Sequence, residues 1–502
     1  MNPFLTSVGC NLERINETND DFDGSRTLTF RQSSSWDDPS TTSCLDNESF
    51  RDVRGLGCAT WNLRDHDCTD IEIRYGYTSS EADAVRSACP VACGSCGSVL
   101  LIHSVGIPDS YKKHNGGPYP VFLYFHGWGG DESECGNVCD YAREKGFVTI
   151  AMRGMGPTFW ASWNGFGSTQ SPGADGPICD VTTSQNLCYA DCGASCQPCW
   201  WTTCRDSVEQ VKQVVRSLSS ALCLDHKNVF ASGCSNGGMF LHELAHDPEF
   251  SLRTIAPVVG LPHNGTSILI HLYPSFYTYT STYKTSPSPP KKHIHIYITG
   301  FNFGPLKKST TRYIGFYGDT DTTVPPLSNT NDPTKSFDTA NLGWYYSTAR
   351  NTTSVWASSN GCNEVNAPTQ DFSVGHDEVT CLQYSDCDRA VVECIFQGGH
   401  ICNRRWQFEP IIDFMLEDLD GSSSSSSNIT MFILLPLGGL MMVMIFAVLT
   451  YPRLRDSKTT FARLDEDKGA EMAPISNSHT KHEKKKERQD DLVYNEVDGV
   501  EI

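Results

Sequence analysis

Gly233-Cys234-Ser235-Asn236-Gly237 matches G-x-S-x-G, a spacing in which small residues on either side of a serine let a strand turn sharply into a helix and lift the hydroxyl clear of the backbone. A serine hydroxyl is a weak nucleophile until a base takes its proton, so chemistry at Ser235 calls for a histidine and for an acid that orients it. Gln397-Gly398-Gly399-His400 supplies the histidine, placed directly after an apolar run and given freedom to swing by two glycines. Gly318-Asp319-Thr320-Asp321-Thr322-Thr323-Val324-Pro325 supplies two acids, again after an apolar run. His376 lies in a polar loop and His246 just past the serine motif, where surface roles are expected. Phe125-His126-Gly127-Trp128-Gly129-Gly130 adds a glycine-rich loop whose backbone N–H groups can face a developing oxyanion. The expected donors are Gly127 or Trp128 together with Asn236, and His126 is read as structural.

These groups need rigid elements behind them. Val229 to Ser232 reads as the strand before the serine turn and Gly238 to Ala245 as the helix after it, while Tyr313 to Tyr317 and Ala390 to Phe396 read as the strands that deliver the acids and the histidine. Val99 to Val105 and Val121 to Phe125 add two more strands, and Val208 to Ser219 an amphipathic helix. Strands that alternate with helical patterns predict a mainly parallel α/β sheet.

Taken together, His126 to Gly130, Ser162-Trp163-Asn164-Gly165, Gly233 to Met239, Gly318 to Pro325 and Gly398-Gly399-His400 resemble the secreted esterases that include polyhydroxybutyrate depolymerases and feruloyl or acetylxylan esterases. The resemblance runs from about 99 to 417. It implies an α/β-hydrolase fold and a triad of Ser235, Asp321 and His400, with Asp321 placed three residues before Val324-Pro325 and Asp319 as the substitute. It also implies an acyl-enzyme route and no cofactor or metal. The substrate would be an acyl ester, polysaccharide- or polyester-linked or small. Ile401-Cys402 departs from members that carry a tryptophan two residues after the histidine. The alternative is a hydrolase-fold surface receptor or adhesion protein without activity.

The chain has 502 residues, with 39 Lys+Arg against 59 Asp+Glu for a net charge of −20. That acidic balance argues against a nucleic-acid partner. All 22 cysteines fall between Cys10 and Cys402, which predicts an oxidising surrounding for that part of the chain. Cys179, Cys188, Cys192, Cys196, Cys199 and Cys204 form one cluster, read as a disulfide-stapled loop in preference to a zinc knuckle or a redox pair. The cysteines of the esterase region are odd in number, which points to Cys234 as a free thiol, with Cys10 also unassigned.

Cys44-Leu45-Asp46, Cys58-Ala59-Thr60-Trp61 and the closing Cys89-Pro90-Val91-Ala92-Cys93-Gly94-Ser95-Cys96 resemble the ShK-toxin domain. The resemblance implies the pairs Cys44–Cys96, Cys58–Cys89 and Cys68–Cys93. The Lys-Tyr dyad of channel-blocking members is missing, so an accessory module for binding or stability is expected.

The expected organisation is a disordered leader over 1–42, the disulfide module over 43–97, the esterase domain over 98–418, a serine-rich stalk over 419–428, a transmembrane helix over 429–451 and a cytosolic tail over 452–502. Met431 to Thr450 is free of charge, and at ~1.5 Å per residue spans ~30 Å, a hydrocarbon thickness. Arg453, Arg455 and Lys458 after it predict a single-pass protein, anchored in a membrane, with an extracellular or lumenal catalytic domain. The first thirty residues contain no apolar signal region, which favours an incomplete N-terminus. Asn16, Asn47, Asn264, Asn351 and Asn428 head glycosylation sequons. The stretch 267–308, within a run without acidic residues from Ser251 to Gly318, is an anomalous insert in the esterase domain, read as an inserted loop or coding artefact in preference to a lid.

Overall fold

Six parallel strands carry the residues singled out above. Four of them are buried almost end to end, the pattern of a sheet covered by helices on both faces. The computed structural model describes residues 27–33, 45–64, 68, 71–95, 100–113, 118–156, 160–165, 168–169, 177–183, 187, 189–264, 309–340 and 343–420.

In chain order the elements are β1 (Thr27–Ser33), the short module helices α1 (Cys58–Arg64), α2 (Ile71–Tyr75) and α3 (Ser79–Ala88), then β2 (Leu100–Gly106), α4 (Asp109–Lys113) and β3 (Tyr119–Phe125). They continue with α5 (Gly136–Glu144), β4 (Val148–Met152), α6 (Ser207–Ala221), β5 (Leu224–Cys234), α7 (Asn236–Leu244), β6 (Thr254–Val258) and β7 (Arg312–Gly318). The last are β8 (Lys335–Phe337), β9 (Tyr345–Ser347), α8 (Ala349–Ser359), β10 (Gln370–Phe372), β11 (Val379–Gln383), β12 (Val391–Phe396) and α9 (Arg405–Asp420).

Among the described residues one ten-stranded sheet runs in the order β1-β2-β4-β3-β5-β6-β7-β12-β11-β10. The centre from β4 to β12 is parallel, and each edge ends in an antiparallel pair. This mixed, mostly parallel sheet is consistent with an α/β-hydrolase. Strand alternation divides the core between two faces. Val121, Leu123 and Phe125 of β3 join α6 and α7 through Val211, Val215 and Phe240. Phe122 and Tyr124 point the other way, toward α5 and α9 through Val138, Ala142, Ile412 and Met415.

Four features differ from what the sequence suggests. Thr27–Ser33, inside the segment expected to be disordered, is the edge strand β1, paired in register with β2. Its alternate residues Leu28 and Phe30 are buried with Ala59 and Leu63 of α1, so α1 packs against this outer strand as part of the main core. Asn62 fixes this contact by accepting from the Arg31 N–H at 2.8 Å and donating to the Arg31 carbonyl at 2.8 Å.

Disulfides, second, are spread along the chain and not concentrated in a small N-terminal module. Cys58–Cys89 and Cys68–Cys93 lie in the module. Cys135–Cys139, Cys179–Cys199, Cys192–Cys204, Cys234–Cys402, Cys362–Cys387 and Cys381–Cys394 lie beyond it. Third, Cys234 is bonded to Cys402 and is not a free thiol. Cys44, Cys96 and Cys10 lie outside the described residues.

The fourth difference concerns the membrane. No helix among the described residues is long and apolar enough to cross one. The expected transmembrane helix, single-pass topology and membrane partner are therefore corrected: α9, the last described helix, ends at Asp420 and carries acidic side chains along its length, and 429–451 lies outside the described residues. The insert 267–308, the stalk and the tail lie outside them as well.

Candidate active site

Ser235 sits between β5 and α7 with φ 49° and ψ −116°. A positive φ at a non-glycine residue costs about 1–3 kcal/mol and persists only where the surroundings enforce it. Here the Ser235 N–H donates to the Val258 carbonyl at 2.9 Å, and the flanking glycines permit the turn. A Cβ on Gly237 would lie 2.2 Å from the Phe125 carbonyl oxygen, and one on Gly233 would lie 2.7 Å from the Gly237 carbonyl carbon. Neither position has room for any side chain.

His400 Nε2 lies 2.9 Å from Ser235 Oγ, and His400 Nδ1 lies 2.7 Å from Asp321 Oδ2. With the Nδ1 proton donated to the carboxylate, Nε2 presents its lone pair to the serine hydroxyl. The Asp321 side chain is fully buried while the His400 side chain retains about a quarter of its exposure. Its other oxygen, Oδ1, accepts from the N–H groups of Thr323 at 2.8 Å and Val324 at 2.9 Å, so the carboxylate is held from both ends. Asp319 does not reach the imidazole; its Oδ1 accepts from the Gly398 N–H at 2.9 Å. The acid loop and the histidine loop are further joined by Asp319 N–H to the Phe396 carbonyl at 2.9 Å and Thr320 N–H to the Gly398 carbonyl at 3.0 Å. Asp319 thus belongs to the support of His400.

The loop after β3 packs against the serine: a Cβ on Gly127 would lie 3.6 Å from Ser235 Cβ. Of its four N–H groups, three have acceptors. Gly127 donates to Glu134 Oε2 at 3.1 Å, Gly129 to the Ala161 carbonyl at 2.8 Å and Gly130 to the Gly127 carbonyl at 3.1 Å. Among the described residues the Trp128 N–H has no such partner, which separates it from Gly127 as a donor. The Asn236 N–H, first in α7, has no acceptor within its own helix. The Asn236 side chain is committed elsewhere, accepting from the Trp163 N–H at 2.7 Å and donating to the Trp163 carbonyl at 3.0 Å.

His126 is fully buried, with both ring nitrogens engaged by backbone groups. Its Nε2 accepts from the Gly154 N–H at 2.8 Å, which leaves the proton on Nδ1 to donate to the Gly127 carbonyl at 2.6 Å. Burial holds its pKa down at about 4, so the ring is a neutral clamp between two loops. Glu134, which no motif marks in the sequence, has its carboxyl pushed up to about 7, chiefly by burial and further by Asp131.

A wall of aromatic rings borders the same loop. Trp128 and Trp160 lie 4.4 Å apart between ring centroids, and Trp160 is 47% exposed. The Trp128 Nε1–H donates to the Tyr189 hydroxyl at 2.7 Å, and that hydroxyl donates to the Trp160 carbonyl. Behind Trp128, Trp201 donates from Nε1 to His263 Nε2 at 2.9 Å. The cluster at 179–204 contains Cys179–Cys199 and Cys192–Cys204, so those four sulfurs are engaged in disulfides. Asp191, Cys192 and Cys204 come together as one group of potential ligands, but both of its sulfurs are in that bond.

Of the sequon asparagines, Asn47 is exposed. Asn264 is buried and donates from Nδ2 to the Thr334 carbonyl at 3.2 Å, and Asn351 donates to Ser347 Oγ at 2.8 Å. A glycan requires that nitrogen in the open, which Asn264 does not offer. Asn16 and Asn428 lie outside the described residues.

No family model matches the chain, and no curated protein matches it in sequence. Among solved structures it is similar to an acetyl xylan esterase from Aspergillus awamori, at 14% identity over 63% of this chain and 94% of that one, with a TM-score of 0.35. It is also similar to a carboxylesterase from Bacillus cereus, at 10% identity over 63% of this chain and 94% of that one, with a TM-score of 0.32. A carboxylesterase from Mesorhizobium loti matches at 13% identity over 45% of this chain and 75% of that one, with a TM-score of 0.25. Likenesses this loose leave the function to the chain's own side chains.

Proposed function

We propose that the chain is a serine-dependent carboxylic ester hydrolase. The observation that carries this reading is the row Ser235 Oγ, His400 Nε2, His400 Nδ1 and Asp321 Oδ2, with steps of 2.9 and 2.7 Å, mounted on a positive-φ turn between strand and helix.

Ser235 Oγ attacks the ester carbonyl carbon while His400 Nε2 takes the hydroxyl proton. The carbonyl π pair moves to oxygen, which is met by the N–H groups of Trp128 and Asn236. Asp321 holds the imidazole tautomer and stabilises the imidazolium. Collapse of the tetrahedral intermediate breaks the bond to the leaving alkoxide, which receives the proton from His400. Water then adds to the acyl-enzyme by the same route, and the acid leaves as Ser235 regains its proton.

The acyl ester could be carried on a polysaccharide, on a hydroxyalkanoate polyester or on a small alcohol. The exposed face of Trp160, tilted 36° against the ring of Trp128, supports a substrate with a ring or sugar beside the scissile bond. The test is hydrolysis of a panel of chromogenic esters, without reductant, by the wild type and by Ser235→Ala and His400→Ala. The expected loss is on the order of 10³-fold or more for either variant. Hydrolysis by Ser235→Ala at the wild-type rate refutes the proposal.

A further inference from the structure

Glu134 stands at the end of a short 3-10 turn, Glu132–Cys135, whose start is tied by Asp131 Oδ1 accepting from the Ser133 N–H at 2.9 Å and whose end is tied by Cys135–Cys139. Its carboxylate reaches under the loop His126 to Gly130. Oε2 accepts from the Gly127 N–H at 3.1 Å, and Oε1 occupies the place where a side chain at 130 would begin, 1.7 Å from a Cβ built on Gly130. The glycine at 130 is therefore what lets the carboxylate in. The Glu134 backbone carbonyl accepts from Asn403 Nδ2 at 2.9 Å, and Asn403 also accepts from the Tyr124 hydroxyl at 2.9 Å. Asn403, at φ 61°, lies three residues past His400. One residue thus touches the oxyanion loop through its side chain and the histidine loop through its backbone.

An ionised carboxylate beside an oxyanion site would oppose a transition state that gains negative charge. Burial instead favours the neutral form of Glu134, and the geometry gives it a role as hydrogen-bond acceptor. With the Gly127, Gly129 and Gly130 N–H groups each bonded, the Trp128 N–H is, among the described residues, the one in this loop left without an acceptor. Free the Gly127 N–H, and the peptide between His126 and Gly127 keeps only the Trp163 Nε1–H on its carbonyl at 3.1 Å, one anchor where it had two.

We propose that Glu134 is the positioning residue of the oxyanion loop, accepting the Gly127 N–H so that the Trp128 N–H is aimed at the reacting carbonyl oxygen. The proposal rests on the esterase reading above. Because the contact needs an acceptor and not a charge, a glutamine at 134 with its amide oxygen toward Gly127 preserves it, whereas an alanine abolishes it.

The test compares Glu134→Ala and Glu134→Gln with the wild type in kcat, KM and the inhibition constant of an alkyl trifluoromethyl ketone. This probe places a hemiketal oxyanion where the reaction does. Misaiming one donor is expected to lower kcat of Glu134→Ala about 10- to 100-fold, to weaken the ketone by a similar factor and to leave KM within about threefold, as expected for a contact felt only in the transition state. Glu134→Gln is expected within about threefold of the wild type in all three. Glu134→Ala that keeps wild-type kcat and ketone affinity overturns the proposal. So does a Glu134→Gln protein as impaired as Glu134→Ala while both melt at the wild-type temperature. If Glu134→Ala fails to fold, Glu134→Gln and Gly130→Ala, which pushes the carboxylate from its seat, decide alone: the first is expected active and the second impaired, and the reverse overturns the proposal. Wild-type turnover that vanishes in Ser235→Ala keeps the esterase reading standing whichever way the Glu134 variants fall.

Discussion

Cys234 and Cys402 are bonded to each other, and this joins the residue immediately before Ser235 to the loop that carries His400. Ser235 and His400 lie 165 residues apart in the chain, and the imidazole reaches the hydroxyl at 2.9 Å. The disulfide holds together the backbone on either side of that hydrogen bond.

Removing it as Cys234→Ala with Cys402→Ala, so that no thiol is left, should cost about 2–5 kcal/mol of stability. It should also lower kcat at least about tenfold, because a shift of about 1 Å between base and nucleophile is felt strongly. Cys58→Ala with Cys89→Ala, in the module, serves as the control. It should lower the melting temperature while leaving kcat of the folded protein unchanged. Thermal melting and initial rates at a temperature where both variants are folded check this.

The two acids after β7 should separate cleanly. Asp321→Asn removes the carboxylate that receives the His400 Nδ1–H and should lower kcat on the order of 10³- to 10⁴-fold. Asp319→Asn keeps an oxygen for the Gly398 N–H and should lose no more than about tenfold. Equal losses in the two variants, measured with one ester, would reverse the assignment.

Gly237→Ala tests the tightness of the turn. Its new methyl would meet the Phe125 carbonyl oxygen at 2.2 Å and the His126 carbonyl oxygen at 2.6 Å, both backbone atoms that cannot swing aside. Overpacking of this kind costs about 1–3 kcal/mol, and it would press on the oxyanion loop, so kcat should fall along with the urea midpoint. Gly136→Ala, where an added Cβ meets nothing within 4 Å although φ is +32°, should cost stability without a comparable loss of kcat.

Acid should destabilise the fold through its buried histidines. His103, His126, His242 and His263 are fully buried, and burial lowers their pKa values to about 3, 4, 3 and 4. The unfolded chain binds protons at these sites from about pH 6.5 downward, where the native state does not, so stability is present above that pH and is lost as pH falls toward 4. Glu134 and Asp46 oppose this, since burial raises them to about 7 and about 6 and the native state then holds protons that the unfolded chain releases. Four histidines against two acids leave a net uptake on unfolding, worth about 1.4 kcal/mol per pH unit for each proton. Urea midpoints should fall from pH 7 to pH 5; a rise would contradict this account.

The serine turn was legible in the sequence because its requirements are local: a strand, small residues at fixed offsets and a helix, all within β5 and α7. The loops bearing Asp321 and His400 were legible for a similar reason, each following an apolar strand. The division of labour between Asp319 and Asp321 could not be read from spacing, because it depends on which oxygen faces the imidazole and which faces Gly398. Residue count misled at Cys234, since parity says nothing about which sulfurs meet across 168 residues. Leu28 and Phe30 in β1 did carry a period-two signal, but seven residues far from the rest of the sheet in sequence gave no hint that a strand there would close its edge. Glu134 left no trace at all: an acid seven residues beyond a glycine becomes its acceptor only through a 3-10 turn and a short disulfide.

Whether Ser235 is an activated nucleophile is read out by labelling the folded protein with a fluorophosphonate and locating the adduct by peptide mass spectrometry. One adduct is expected, on Ser235, formed at a rate that falls on the order of 10³-fold in His400→Ala and absent from Ser235→Ala. An unlabelled Ser235 in folded wild-type protein, or labelling that proceeds unchanged without His400, would contradict it.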